Sequence, residues 1–302
     1  MTTPNQTVKS PASMGARALW YLECWGLKRI DAWGVSYIAG ALALVVHHAL
    51  SLQTFILLIA ITANYWLGYW LNDYFDAAHD GQDERKARQN LFVQRPAVRR
   101  WVWLVSGLTF GLSAASFISF GWQGVMVLLL NFAVMWAYSA PPLRLKNKPG
   151  LDLLSHAFFV QTWPYIICMW LTRTNWMQLD GILLAIFFFT SLNGQLNQQV
   201  RDFDVDARTD MNFTTWAGLE KSILILKVSA WVVVLFGVVV VISASVPWLF
   251  VPLGLLGLPK IVYQMSHRAG NSNRTFPREI VYATMLLALL YMGVLMTLKS
   301  IV

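Results

Sequence analysis

The chain has 302 residues, of which 57% are hydrophobic and 13% charged, with a mean hydropathy of +0.51. That balance excludes an ordinary water-soluble domain, in which about a quarter of the residues are charged. The net charge of +8 and pI near 9.6 do not imply a nucleic-acid partner, because the basic residues follow a pattern that a lipid bilayer explains better.

In chain order, residues 1–16 are rich in Thr, Ser, Pro and Asn and read as a mobile tail; residues 17–302 read as one membrane domain. No short leader with a small-residue cleavage site is recognisable, since Lys9, Arg17, Glu23, Lys28 and Arg29 are scattered through the first thirty residues. Crossing about 30 Å of hydrocarbon takes about 20 residues. Apolar stretches of that order occur near 34–52, 54–75, 100–119, 122–139, 153–171, 178–199, 222–243, 246–264 and 280–298. An all-α membrane protein of about nine transmembrane helices is predicted. Cys24 and Cys168 suit neither a disulfide nor a zinc site and read as packing residues. Twenty of the 23 Lys and Arg fall on one side of this arrangement, with only Arg173 and Lys299 on the other and Lys227 inside a helix. By the positive-inside rule the N-terminus and the long loops are cytoplasmic and the C-terminus is outside, in a cell inner membrane.

The second stretch closes on Asn72-Asp73-Tyr74-Phe75-Asp76-Ala77-Ala78-His79-Asp80. At about 100° per residue, Asn72, Asp76 and Asp80 step round by about 40° each, and Asp73 falls in the same arc. Carboxylates at i, i+4 with an amide one turn earlier suit Mg²⁺, a hard cation that takes oxygen ligands and often completes its shell with phosphate oxygens. A helix end in water, paired with Arg85 or Arg88, is the plainer alternative. It is disfavoured because acids at a helix C-terminus oppose the dipole. His79 falls on a different face, which suggests a loop contact.

After the fourth stretch comes Tyr138-Ser139-Ala140-Pro141-Pro142-Leu143-Arg144-Leu145-Lys146. The prolines stop the helix and predict an extended loop presenting Arg144 and Lys146, either to phosphate oxygens or simply as an inner basic loop. Arg29 and Arg201 carry the same two readings. His47, His48, His156 and His267 show no metal spacing. The sixth stretch ends in Asn193, Gln195, Asn197, Gln198 and Gln199, then Asp202-Phe203-Asp204-Val205-Asp206. Asp202 and Asp206 again lie about 40° apart, with Gln195 and Gln198 on the same arc, whereas Asp204 points about 200° away and reads as a solvated loop residue. The amides serve cavity lining or helix–helix hydrogen bonding equally well. Nine of the fifteen acids lie in these two regions of the basic side, which suggests metals bridging to an anion.

With these motifs the chain resembles the UbiA superfamily of intramembrane prenyltransferases. Residues 72–80 match its NDxxDxxxD motif, Asp202–Asp206 its DxxxD motif, and YSAPPLRLK at 138–146 a loop of several subfamilies. NKPGLDLLSHAF, which follows, is similar to carotenoid elongases. The resemblance implies a bundle around a central cavity open to the cytoplasmic side. There Asn72, Asp73, Asp76, Asp80, Asp202 and Asp206 would bind Mg²⁺, and Arg29, Arg144, Lys146, Arg201, Tyr138 and Gln198 an isoprenyl diphosphate. Asp76, Asp80, Asp202 and Asp206 would be catalytic, and the prenyl group would pass to a lipophilic acceptor, a quinone precursor, lipid or carotenoid. Two departures stand out. Asp210 replaces a frequent Gly, and the Tyr-Ser-Ala-Pro-Pro loop replaces Tyr-Pro-x-x-Lys-Arg, which speaks against a 4-hydroxybenzoate acceptor. The rival expectations are a terpene cyclase of the same fold, with no separate acceptor, and a cation transporter using its intramembrane acids.

Overall fold

The computed structural model describes residues 30–88, 90–208, 211–243, 248–271 and 275–301. The expected tail, Cys24, the candidate Arg29 and Asp210 lie outside the described residues. Where described, each predicted apolar stretch falls largely on helix, and no strand occurs among the described residues. In order, α1 is Ile30–Val46, α2 Leu52–Asp80, α3 Val102–Ile118 and α4 Gly121–Ser139. Three consecutive pieces, Leu151–Ala157, the π-helical turn Phe158–Thr162 and Trp163–Thr172, make α5. They are followed by α6 Gln178–Asp206, α7 Leu219–Ile242, α8 Val251–Met265 and α9 Arg278–Ile301. Seven helices are long and apolar enough to cross a membrane by themselves, α1 is shorter, and α5 is broken by its π turn. The chain is a multi-pass membrane protein.

The two motif-bearing helices run past their predicted ends. Periodicity of apolar residues stops near 75 and 199, yet both helices continue to the last motif aspartate and each has 29 residues. At 1.5 Å per residue that is about 43 Å, against about 30 Å of hydrocarbon. The surplus length is enough for the acid-bearing turns to extend beyond the hydrocarbon, where charge is tolerated.

Helix order in space follows the small and large residues. The face of α1 is built from Ser36, Ala39, Gly40, Ala41 and Ala43, all buried. A Cβ on Gly40 would meet Leu58 Cδ1 at 2.8 Å and Cys168 Sγ at 3.2 Å, so α1 lies as near to α2 and α5 as its backbone allows. Cys168 is a buried packing residue there. From α1 the ring continues through α2 to α3 and α4 on one side and through α9, α8, α7 and α6 on the other. Half of the most apolar window of α2 is buried, against 22% for α7. Thus α2 is an inner wall, whereas α7 presents Leu224, Val228, Trp231 and Leu235, a stripe at helical spacing, to the outside.

The π turn of α5 has a cause in the sequence. Pro164 has no N–H to give the carbonyl of Val160 four residues back, and that carbonyl instead accepts Ser36 Oγ of α1 at 2.7 Å. The adjacent carbonyl of Phe159 accepts the Tyr65 hydroxyl of α2. Backbone groups freed inside a membrane must find such partners, and here they lock α5 against both neighbours.

Candidate active site

Both acidic motifs line one cavity of ≈ 280 Å³ enclosed by α2, α4, α5 and α6. Its wall includes Asn72, Asp73, Asp76 and Asp80 from α2 and Asp202 and Asp206 from α6, with Tyr138, Lys146, Gln198 and Arg201. Arg144 is not part of the wall, but its guanidinium reaches Asp76 Oδ1 at 3.0 Å. Asp204 is exposed, as expected, although it stands on the prolonged helix and not in a loop. His79 lines the cavity too, where a loop contact was expected. The loop after α4 is turned and not extended. Arg144 is left-handed with φ 38°, its N–H donates to Ala140 O at 2.9 Å, and Leu145–Asn147 coil into a 3₁₀ turn. That turn swings Lys146 inward, where an extended strand would have carried it away.

Three motif carboxylates, Asp76, Asp202 and Asp206, each meet a cation. Lys146 Nζ donates to Asp76 Oδ1 and, at 2.8 Å, to Asn72 Oδ1. Lys86 Nζ donates to Asp206 Oδ1 at 2.6 Å. Arg201 takes both oxygens of Asp202, at 2.8 and 3.0 Å. The partners of the first motif thus come from the loop after α4, while Arg88 pairs with Glu84. Burial lowers the affinity of the Lys86 ammonium for its proton, but the hydrogen bond to Asp206 and the charges of Asp206, Asp202 and Asp80 outweigh it and hold the pKa above the ordinary value. For Lys146 burial prevails over the attraction of Asp76, and its pKa is lowered.

Lys86 and two asparagines were missed by sequence reasoning. Asn90 caps the short helix Leu91–Gln94, and its Nδ2 donates to Asp80 Oδ2 at 2.8 Å and Asp73 O at 2.7 Å. Asn212 caps Phe213–Ala217, and its Nδ2 donates to Asp206 Oδ2 at 3.0 Å. The last aspartate of each motif is therefore held by the asparagine cap of a short helix that follows it in the chain. An Asn ahead of a short helical run, soon after each motif, was the available signal. The amides of α6 divide between both expected uses. Gln195 and Gln198 line the cavity; Asn193 accepts Ser229 of α7, Asn197 meets His267 Nε2 at 2.8 Å, and Gln199 donates to Asp152 at 2.7 Å.

Among the described residues, no three His, Cys, Asp or Glu side chains are gathered closely enough to hold one ion. Asp76, Asp202 and Asp206 instead face cations of the chain itself. The donor set nevertheless fits Mg²⁺, since carboxylate and amide oxygens are the ligands a hard cation takes. Cations already at the site, and a buried Arg144 Nε that no described group accepts, suit a polyanion arriving with it.

The UbiA prenyltransferase family model matches residues 34–290. The chain belongs to the UbiA prenyltransferase family. Its fold is that of a UbiA homologue from Archaeoglobus fulgidus, solved with GPP and Mg²⁺, at a TM-score of 0.68 and 18% identity over 92% of this chain and 99% of that one. The same homologue bound to DMAPP and Mg²⁺ gives 0.67 and 17%, with the same coverage. A curated relative in sequence is a lycopene elongase/hydratase from Corynebacterium glutamicum, 27% identical over 145 residues; the match spans 48% of this chain and half the length of that relative.

Proposed function

We propose that this chain transfers a prenyl group from an isoprenyl diphosphate to a lipophilic acceptor in the membrane, with Mg²⁺ as cofactor. The observation that carries the reading is the single cavity walled by both carboxylate motifs. It is supported by family membership and by the GPP, DMAPP and Mg²⁺ bound in the structural neighbours. Asn72, Asp73, Asp76, Asp80, Asp202 and Asp206 would hold Mg²⁺, which would supply charge neutralisation of the leaving diphosphate. Lys146, Arg144, Lys86 and Arg201, each seated on a carboxylate or amide oxygen, would bind the diphosphate oxygens. Tyr65, Tyr69, Tyr138 and Phe159 also line the cavity and would face the developing allylic cation with π surfaces worth about 0.5–2 kcal/mol each. The basic mouth supports a cytoplasmic opening in an inner membrane. The elongase relative and the NKPGLDLLSHAF segment favour a carotenoid as acceptor.

Incubating the purified chain in bilayers with isoprenyl diphosphates and Mg²⁺, with and without a polyene acceptor, tests this. Acceptor-dependent diphosphate release, with a product heavier than the acceptor by one prenyl unit, is expected. Release without acceptor and a cyclic hydrocarbon product would assign a cyclase instead, and no release at all would exclude both.

A further inference from the structure

Among the described residues that line the cavity, His156 is a titratable side chain that the reading above does not use; His79, the other histidine of the lining, stands on α2 inside the first acidic motif. His156 of α5 lines the cavity six residues before the end of the π turn and belongs to neither acidic motif. Its Nδ1 lies 3.2 Å from the backbone carbonyl of Ser191 on α6. A carbonyl oxygen only accepts, so Nδ1 carries the hydrogen and Nε2 of the neutral ring keeps its lone pair. Among the other lining groups outside the motifs, Asn64, Tyr65, Tyr69, Asn131 and Tyr138 are amides and phenols, which are poor proton acceptors near neutral pH. Of the motif carboxylates, Asp76, Asp202 and Asp206 are each paired with a cation, and Asp80 accepts from Asn90 Nδ2. The position of His156 is fixed on both sides, by Ser191 O and by the π turn that Ser36 and Tyr65 hold open.

We infer that His156 is the catalytic base that removes the proton lost by the acceptor after prenyl attachment, which makes the acceptor a carbon nucleophile. This rests on the transfer reading. The donor C1–O bond breaks with its electron pair leaving on the diphosphate, and a π pair of the acceptor forms the new bond to C1. The positive charge then sits on the acceptor carbon next to the new bond. His156 Nε2 takes a proton from a carbon beside that centre, the C–H pair restores the double bond, and the imidazolium passes its proton to water when product leaves. An alkene or an aromatic ring satisfies this sequence.

His156→Asn tests it in the full chain with geranyl diphosphate, Mg²⁺ and a polyene acceptor. Asn keeps a donor for Ser191 O and removes Nε2; His156→Gln places an amide where Nε2 was. Per donor-binding site, both variants are expected to lose about 100-fold or more in product formation with a donor KM within about two-fold of wild type. Residual product should carry a displaced double bond or a hydroxyl from water capture. Product formation within about three-fold of wild type, with the double bond unmoved, would overturn the assignment. So would a loss wholly accounted for by weaker donor binding, because His156 would then only support the fold. If the wild type itself shows no acceptor-dependent diphosphate release, the transfer reading fails and this assignment with it; normal wild-type transfer beside unaffected variants removes His156 alone.

Discussion

At its N-terminal end α6 carries Asp180, fully buried, which takes hydrogen bonds from Tyr165 OH at 2.5 Å and Met177 N at 2.6 Å and faces His47 Nε2 at 2.8 Å. At its C-terminal end the same helix carries Asp202 and Asp206, also buried, each held by a long flexible cation. Asp180 sits where the helix dipole favours an anion, and its partners are a phenol, an imidazole and the helix's own backbone, all fixed by packing. Asp202 and Asp206 sit where the dipole opposes them, and their partners can leave without unfolding anything. Burial alone therefore does not mark a functional carboxylate. The exchangeability of its partners does.

The strongest way to sharpen that contrast is to neutralise one mouth carboxylate. Asp76→Asn or Asp202→Asn should cut Mg²⁺-dependent turnover by about 100-fold or more, while thermal unfolding in the absence of metal stays unchanged or rises slightly. A variant that melted early would place these acids with Asp180. The converse change is Asp180→Ala, which strands Tyr165, His47 and the Met177 N–H. It should cost at least about 2 kcal/mol of stability, read as a lower melting temperature, with the donor KM unaltered in protein that remains folded.

A smaller effect is expected at Lys86, whose ammonium serves both motifs. Lys86→Ala should raise the donor KM about ten-fold, or about 1.4 kcal/mol, with a lesser change in kcat; an unchanged KM would restrict Lys86 to holding Asp206. The smallest effect separates the two lysines themselves. By NMR of ¹³C-methylated lysines, Lys146 should titrate below and Lys86 above the ordinary 10.5. As pH climbs toward 10.5 the unfolded chain still holds the Lys146 proton that the folded one has lost, so this group's contribution to stability rises over that interval. The contribution of Lys86 is present below 10.5 and is lost as pH passes its raised folded value.

The spans, both motifs and their shared arcs were legible in the sequence because helix periodicity is a local property that tertiary context rarely overturns. Helix ends were not, since Asn72–Asp80 and Arg201–Asp206 are polar and the apolar pattern stops before the helix does. The inward turn of Lys146 depended on a left-handed Arg144 that no turn residue announced. Lys86, Asn90 and Asn212 were hidden for another reason: each acts on an aspartate through a loop whose path only the packed bundle sets. His156 carried no pattern of its own, and its cavity and its tautomer come from α6 contacts 35 positions away.

The most direct measurement of the central claim is a double-mutant cycle on Asp76 and Asp202, reading the affinity of a non-ionising geranyl thiolodiphosphate at saturating Mg²⁺. If the two motifs grip one magnesium–diphosphate, each substitution weakens binding and the pair falls short of the sum by about 1 kcal/mol or more. Full additivity, or an effect confined to one of the two positions, would mean that the motifs do not share a ligand.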